Sequence, residues 1–265
     1  MAIYNITSEQ LRGRGILNSF EISAGGSFSN TRSLLFDGND DVVNCGDNNN
    51  LSFGDGSSDS TFSMSAWVKV TEGDGMYIMS KNRHTSPLSN DEYAFYISSS
   101  SKKLIFFLID LDLLNRRGRT TDAIASSVFA DWMHVAVTYN GVGGNTAQNG
   151  LKLYINGVRS DTADSTKNTY TAMHNTTTPL RIGAYHESLF GEGSIDEAAI
   201  FNAELSATDI ANIYNSGAPA DLSGFSSLVS WWRFEEGSGT TATDSGTGGN
   251  NGTINGATYQ TDVPS

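Results

Sequence analysis

Hydrophobic and polar residues alternate with a period of two in several stretches of the chain after residue 33. In TFSMSAWVKV every second residue is apolar, which gives a strand one apolar face made of Phe62, Met64, Ala66, Val68 and Val70. Trp67 is the large apolar residue of the opposite face. The pattern predicts a half-buried β-strand.

Further strands are predicted for DEYAFYI, DWMHVAVTYNG, LRIGAY, GSIDEAAIF and LKLYINGV, which turns at Asn156-Gly157. KKLIFFLIDLDLL is apolar on both faces over residues 104–109, which indicates a strand that is covered on two sides. Only LSATDIANIYNSG predicts a helix, with Ser206 and Asp209 as a capping box. Many strands with turn signals between them indicate an all-β sandwich.

Charge and composition exclude several classes of protein. The chain of 265 residues carries 16 Lys and Arg against 29 Asp and Glu, a net charge of −13, so we expect no nucleic-acid partner. Cys45 is the single cysteine, which leaves no partner for an internal disulfide. No apolar run reaches the roughly 18 residues of a membrane span, and the N-terminus lacks the apolar core of a signal peptide.

The first 32 residues differ from the rest of the chain. SEQLRGRGILNSF is basic and can form a short helix, and GGSFSNTRS has the composition of a linker. We interpret residues 1–32 as an N-terminal arm or anchor with a linker. A disordered tail is the alternative.

The ordered set of segments SLLFDGNDDVVNCGD, FSMSAWVKV, DWMHVAVTYNG, LKLYINGV and LRIGAYHESLFGEGSIDEAAIFNAELSATDIANIYNSG resembles the laminin-G-type, concanavalin A-like jelly roll. The resemblance covers roughly residues 33–217. It implies two antiparallel β-sheets packed face to face, with one short helix.

The closing stretch VSWWRFEEGSGTTATDSGTGGNNGTINGATY, residues 229–259, resembles a segment that opens many such modules. Because the termini of a domain often lie close together, an edge segment can move to the other end and keep its contacts. We therefore predict one sandwich over residues 33–265, in which residues 225–260 lie beside the strand at 33–45. The alternative is the start of a truncated second module.

This arrangement also resembles bacteriophage virion surface proteins. The resemblance implies a non-catalytic structural protein, a capsid decoration or tail fibre component, assembled in the host cytoplasm. Its expected partners are other virion proteins, contacted through the arm, and cell-surface glycans, and the chain could form a homo-oligomer. The alternatives are a lectin-like carbohydrate-binding module and, third, a polysaccharide-active glycosidase or lyase.

Catalytic patterns of this fold are absent from the sequence. Glucanases of the fold carry Glu-x-Asp-x-x-Glu on one strand, which this chain lacks. Glu192 and Glu197 are five residues apart, so a strand would place them on opposite faces. Asp110 and Asp112 share a face without a third acid. We therefore expect no enzyme activity.

Carbohydrate binding needs an exposed aromatic ring with polar partners nearby. The candidate ligand-binding residues are Trp67, Tyr77, Tyr96, His186 and Phe190. Trp67 has an alternative role as a core residue of a second layer, below loops that cover the sheet.

A structural calcium ion is implied by the resemblance, because related jelly rolls bind one where a strand like GSIDE meets the edge segment. Asp196 would be one ligand, and Glu235 or Glu236, together with turn carbonyls near residues 237–239, would supply others. Asp244 of the same acidic closing stretch is a further candidate ligand. Alternatively, Asp196 caps a turn and the glutamates are solvated. A second acidic stretch, residues 37–41, lacks the closing Glu of an EF-hand and predicts an Asx-rich turn.

Overall fold

The computed structural model describes residues 28–83, 90–129 and 131–265, so most of the predicted arm, residues 1–27, lies outside the described residues. Within these ranges the chain forms one α-helix, α1 (Ala207–Tyr214), and eighteen strands: β1 (Ser33–Asp37), β2 (Val42–Asn44), β3 (Phe62–Lys69), β4 (Met76–Lys81), β5 (Asp91–Ile97), β6 (Leu104–Thr121), β7 (Met133–Tyr139), β8 (Leu151–Ile155), β9 (Val158–Arg159), β10 (Asp161–Asp164), β11 (Arg181–Ile182), β12 (Ala184–His186), β13 (Leu189–Phe190), β14 (Glu192–Phe201), β15 (Leu228–Trp232), β16 (Thr241–Ala242), β17 (Gly252–Asn255) and β18 (Thr258–Gln260).

Two eight-stranded antiparallel sheets form the body of the protein. The first sheet has the order β18-β1-β14-β3-β7-β8-β9, with β15 paired to β14. The second has the order β10-β6-β5-β4-β11-β2-β17-β16, and β12 and β13 form a separate hairpin. This arrangement confirms the predicted all-β jelly-roll sandwich with one short helix.

The main core lies between the two sheets. Phe62 of the first sheet packs on Phe106 of the second, with their ring centroids 5.5 Å apart, and on Phe53 at 4.6 Å. The alternating apolar residues of β3 point into this core, as their period predicts. In β6, Phe106 faces the core and Phe107 belongs to a different apolar cluster on the outer face of the second sheet. The strand is therefore covered on both sides, as its continuous apolar run predicts.

The closing segment contributes strands to both sheets. Trp231 of β15 pairs with Ala199, and Ile254 of β17 pairs with Val43 of β2. Tyr259 of β18 pairs with Leu34 of β1. Residues 252–260 thus lie beside β1 and β2, where the sequence analysis expects them. The division into an arm and a sandwich of residues 33–265 stays a prediction.

Helix α1 lies on the outer face of the first sheet. Its capping box is present: the Asp209 N–H donates to the Ser206 hydroxyl (3.1 Å), and the Ser206 N–H donates to the Asp209 carboxylate (2.9 Å). Ile210 and Ile213 pack against Trp231 and its neighbours in a second apolar cluster. Among the described residues, no helix has the length and hydropathy of a membrane crossing.

Candidate functional site

Four aromatic side chains gather on the outer face of the second sheet, away from the main core. Tyr77 of β4, Tyr96 of β5, Phe107 of β6 and Tyr185 of β12 form what we call the aromatic face. The ring centroids of Tyr77 and Tyr96 are 5.6 Å apart, those of Tyr77 and Tyr185 5.3 Å, and those of Tyr96 and Phe107 6.0 Å. Because Tyr77 and Tyr96 are paired across β4 and β5, their side chains leave the sheet on the same side.

An apolar layer supports these rings. Ala94, Ile105 and Ile109 are buried beside Phe107 and Tyr185, whereas Tyr77 and Tyr96 are partly exposed. Tyr77 and Tyr96 therefore present part of their surface to solvent, whereas Phe107 and Tyr185 are each only 7% exposed.

The phenol groups of the aromatic face are protonated at neutral pH and can donate hydrogen bonds. Burial, followed by the neighbouring Tyr77, raises the pKa of Tyr96 to about 12, although the nearby Arg116 opposes the shift. Burial and then the charge of Asp91 raise the pKa of Tyr185 as well. Each tyrosine of the aromatic face thus combines an aromatic ring with a hydroxyl donor.

The hairpin of β12 and β13 brings Tyr185 to this face. The Ser80 hydroxyl lies 2.7 Å from the carbonyl oxygen of Ala184 and 2.8 Å from that of Tyr185, and the Gly183 N–H donates to the carbonyl of Tyr77 (2.8 Å). Gly183 has a φ of +86°, a left-handed conformation that a side chain would strain, and a Cβ here would clash with the Phe36 ring. These contacts fix Tyr185 against β4.

A buried amide lies next to Tyr185. Asn82 is fully buried, and its side chain is close enough to Tyr185 to lower the pKa of that phenol against the larger effect of burial. Within the part of the chain that the structure describes, the Tyr185 phenol is the one group that interacts with the Asn82 side-chain amide. The remaining donors and acceptors of this buried amide make it a candidate for ligand binding.

A cavity of about 270 Å³ adjoins the aromatic face, where the His186 ring lies 5.3 Å from the ring of Tyr185. Its walls come from β2, β11 and the β12–β13 hairpin: Asp40, Val42, Asn44, Arg181, Ala184, His186, Glu187 and Phe190. Arg181 is only 7% exposed, donates to the Asn82 carbonyl (3.1 Å), and lies 3.4 Å from Glu187. Burial lowers the pKa of this guanidinium. We call this the Arg181 cavity.

Four of the five predicted ligand-binding residues lie in these two places. Tyr77 and Tyr96 belong to the aromatic face, and His186 and Phe190 line the Arg181 cavity. Trp67 does not belong with them.

Trp67 lies on the first sheet and is only 3% exposed. Its ring packs against His134 (5.4 Å) and against Tyr214 of α1 (5.8 Å). It is a core residue of a second layer, the alternative role considered for it, and this corrects the expectation that it stacks on a ligand. The helix that covers Trp67 is formed about 140 residues further along the chain.

Sequence reasoning missed Phe107, Tyr185, Asn82 and Arg181. The segment LRIGAY was identified as a strand and contains both Arg181 and Tyr185, but its residues were not considered as candidates. Nothing local in the sequence singles out Asn82, because its environment depends on the distant Tyr185.

Carboxylates predicted as calcium ligands occur where β1 and β15 meet end to end along β14. Asp196 is fully buried at an irregularity of the β14–β3 pairing and accepts a hydrogen bond from the Asn30 amide (2.9 Å). Glu235 accepts from the backbone N–H groups of Thr31 (2.7 Å) and Arg32 (3.1 Å). Burial, followed by the charges of neighbouring carboxylates that include Glu235, raises the pKa of Asp196 well above its usual range.

Part of the predicted ligand set fits calcium. Asp196 and Glu235 are close enough to repel each other, and the buried Asn30 Oδ1 has no hydrogen-bond partner among the described residues. Carboxylate and amide oxygens are the ligands that calcium prefers.

The other two predicted calcium ligands are bound differently. Glu236 accepts from the Thr243 N–H (2.7 Å), and Asp244 accepts from the N–H groups of Trp231, Gly246 and Asn250, each at 2.8 Å. Both carboxylates hold the turn of the closing segment and do not join Asp196. Of the alternative ligands Glu235 and Glu236, the structure places Glu235 beside Asp196, and the expectation for Asp244 is corrected.

The second acidic stretch forms the predicted Asx-rich turn. Carboxylate oxygens of Asp37, Asp40 and Asp41 lie within 4.8 Å of one another, and no other such trio of potential metal ligands occurs among the described residues. The Asn39 N–H donates to Asp37 (2.9 Å), and the Asp37 N–H donates to Asp41 (2.8 Å). These bonds account for the acidic side chains without an ion.

The structure also shows the surroundings of the acidic residues that the sequence analysis considered for catalysis. Asp110 contacts the His174 ring (3.1 Å) and accepts from the Thr171 N–H (3.1 Å), so it is bound rather than solvated. Glu192 is exposed, and Glu197 is buried at a register shift of the β14–β3 pairing, where its φ is +49°.

A family model described as the concanavalin A-like lectin/glucanases superfamily matches residues 37–211, about two thirds of the chain. The chain belongs to this superfamily. The match includes β4, β5, β6 and the β12–β13 hairpin, so the aromatic face and the Arg181 cavity lie on family strands.

Solved structures share the superfamily fold. A proposed carbohydrate binding protein from Bacteroides ovatus ATCC 8483 aligns with a TM-score of 0.58 and 19% identity, over 89% of this chain and 62% of that protein. A heptameric SAP-like pentraxin from Limulus polyphemus aligns with a TM-score of 0.49 and 12% identity, over 88% of this chain and 95% of the other. The chain thus spans about three fifths of the Bacteroides protein. No curated protein matches the chain.

Proposed function

We propose that this chain is a non-catalytic carbohydrate-binding module, and that its ligand lies on the aromatic face with one end at the Arg181 cavity. The observation that carries the proposal is the cluster of three tyrosine rings on the outer face of the second sheet, with the buried Asn82 amide beside Tyr185.

The chemistry of the cluster suits a saccharide. A pyranose ring has an apolar face of C–H groups and a rim of hydroxyls, so a site for it combines aromatic rings with a few fixed polar groups. Tyr77 and Tyr96 supply partly exposed rings, and their hydroxyls donate hydrogen bonds. Arg181 and Asn44 of the adjoining cavity add further donors.

The superfamily and its neighbours support this proposal at the level of fold. The description of the superfamily includes lectins, and the Bacteroides protein is named for carbohydrate binding. The superfamily also includes glucanases, so the proposed absence of catalysis has to be argued from the residues of this chain.

The strongly perturbed carboxyl groups argue against glycoside hydrolysis at the aromatic face. Hydrolysis needs two carboxyl groups on either side of the scissile bond, one with a raised pKa. Burial raises the pKa of Glu197 to about 8, but Glu197 lies on the first sheet beside Asp196 and accepts from the indole N–H of Trp231. Glu187, at the Arg181 cavity, has a side chain that is 72% exposed. Glu197 is thus on a different sheet from the proposed ligand. Glu92 of β5, whose pKa burial also raises, is fully buried and forms an ion pair with Lys81 (3.2 Å).

A glycan array of neutral and charged saccharides tests the proposal, followed by titration of the best ligand. We expect saturable binding that Tyr96→Ala weakens about tenfold, because one ring of the stacking surface is lost. Trp132→Ala is the matched control, since Trp132 is partly exposed and its indole N–H donates to Asp262, away from this face. Equal weakening by both variants would contradict the proposed site, and release of new reducing ends would contradict the absence of catalysis.

We also propose that Asp196, Glu235 and Asn30 hold a structural calcium ion. Bound there, the ion would neutralise two neighbouring carboxylates and tie residues 30–32 to the closing segment. The virion-surface role, with residues 1–32 as the docking arm, stays a prediction from sequence resemblance.

A further inference from the structure

Two cationic side chains occur at the β6 end of the aromatic face. The Arg116 guanidinium lies over the Phe107 ring, with its central carbon 4.7 Å from the ring centroid. It is also close enough to Tyr96 to lower the pKa of that phenol, against the larger effect of burial. The positive charge is therefore next to two rings of the proposed saccharide site.

Lys167 is the neighbour of Arg116 across the strands. The Arg116 N–H donates to the Lys167 carbonyl (3.1 Å), and the Lys167 N–H donates to the Arg116 carbonyl (3.0 Å). Antiparallel residues that exchange both hydrogen bonds direct their side chains to the same face. Arg116 and Lys167, which we call the cationic corner, therefore share the side of the aromatic face.

Within the described residues, neither Arg116 nor Lys167 has a carboxylate within ion-pair distance, although Arg119, Arg159 and Arg233 each contact one. Lys103 and Arg117 also lack such a partner there, so the cationic corner is distinguished by its two charges lying directly across the strands from each other. Like charges directly across a ladder are destabilising, so the pair is best explained by an anion that it binds.

The Arg116 guanidinium is held in position before any ligand arrives. Its Nη1 donates to the Leu113 carbonyl (2.8 Å), and its buried Nε has no partner among the described residues. The backbone pairing with Lys167 fixes the strand below it. A positioned guanidinium makes strong, charge-assisted hydrogen bonds to a carboxylate.

We infer that the ligand is an acidic saccharide, whose sugar rings stack on the partly exposed Tyr77 and Tyr96 and whose carboxylate binds the cationic corner. This inference rests on the proposed function, because it assigns a ligand class to the same face. The attraction between Lys167, which is exposed, and the ligand is screened by salt, so Arg116 is expected to contribute more than Lys167.

Oligogalacturonate and its methyl ester test the inference, because the two ligands share a sugar backbone and differ in charge. Titrations use the whole chain at about 0.05 M and 0.5 M salt. The variants are Arg116→Gln and Lys167→Gln. Because Lys167 is exposed, its replacement should not disturb folding. Lys152→Gln is the charge-matched control: Lys152 lies on the first sheet and pairs with Glu204 (2.5 Å).

We expect the acid to bind at least about tenfold more tightly than the ester at low salt, with a smaller ratio at high salt. Arg116→Gln should remove most of this preference and Lys167→Gln part of it, while binding of the ester and the effect of Lys152→Gln stay within about twofold.

Three results would overturn the inference. Equal affinity for the acid and the ester would reject the acidic ligand and leave the carbohydrate-binding proposal intact. A preference for the acid that survives both corner variants would place the anion elsewhere, and binding of a sulfated oligosaccharide without the uronate would reject the carboxylate. If no saccharide of the array bound, the proposed function itself would fail.

Discussion

Replacement of Trp232 by alanine measures how firmly the closing segment belongs to the sandwich. Trp232 lies in β15, is fully buried in the main core, and donates its indole N–H to the carbonyl of Asn250 (2.8 Å). Asn250 in turn donates to the Ser230 hydroxyl (2.8 Å) and to the Asn50 side chain (3.0 Å). Trp232 thus connects β15 to a later turn of the closing segment and, through Asn250, to the loop after β2.

The expected cost follows from these contacts. Truncation of a buried tryptophan costs about 3–5 kcal/mol, and the lost hydrogen bond adds about 1 kcal/mol. In a domain of more than 200 residues, each kcal/mol lowers the melting temperature by about 2–4 °C. A total loss of about 5 kcal/mol therefore predicts a melting temperature lower by about 10–20 °C.

Differential scanning calorimetry and circular dichroism provide the assay, with Trp132→Ala as the control at a partly exposed tryptophan. We expect a single transition in each protein, a large shift for Trp232→Ala and a loss of less than about 2 kcal/mol for the control. Trp232→Phe keeps the ring and should lose about 1–2 kcal/mol. A separate early transition for the closing segment, or equal shifts for the two alanine variants, would refute the account of one sandwich.

Three further predictions concern charge and the ends of the chain. Burial acts to raise the pKa of Asp161, but hydrogen bonds from Arg159 and Arg119 lower it from 3.8 to about 2. The stabilisation that the ionised Asp161 contributes is therefore present above pH 3.8 and is lost as the pH falls through about 2. In urea unfolding, Asp161→Asn should cost about 2 kcal/mol at pH 7 and nothing near pH 2, and a pH-independent loss would contradict this reasoning. If calcium binds at Asp196, it should raise the melting temperature of the wild type above its value in EDTA and leave Asp196→Asn unchanged, whereas equal shifts in both would place the ion elsewhere. Deletion of residues 1–27 should leave the melting temperature within about 2 °C, because the described contacts of the arm begin at Phe28, which stacks on Trp231; a large loss would show that the deleted residues belong to the folded domain.

Strand periodicity was sufficient to predict the sandwich, because the local alternation of apolar and polar residues determines which side chains of a strand face the core. The continuous apolar run of β6 indicated cover on both sides, and Phe106 and Phe107 do face two different clusters. The capping box of α1 was equally local, since Ser206 and Asp209 are three residues apart. Such features need no knowledge of distant contacts.

The site was harder to predict because it depends on pairs far apart in the chain. The hydroxyl of Ser80, a residue more than 100 positions earlier in the chain, donates to the backbone carbonyl of Tyr185 and so fixes Tyr185 at the aromatic face. The exposure of Trp67 could not be read from β3, because α1 covers it from a distant part of the sequence. Likewise, Glu236 and Asp244 were associated with Asp196 through the resemblance to related jelly rolls, although backbone N–H groups of the closing segment bind them.

The most direct test of the account is the affinity of the best array ligand for the Tyr77→Ala/Tyr96→Ala double variant, measured by isothermal titration. The two rings lie 5.6 Å apart and are partly exposed, so their removal should spare the core while it destroys the stacking surface. We predict an affinity loss of about a hundredfold, roughly tenfold for each ring, with an unchanged unfolding transition. Affinity equal to that of the Trp132→Ala control would contradict the claim that this chain binds carbohydrate on the aromatic face.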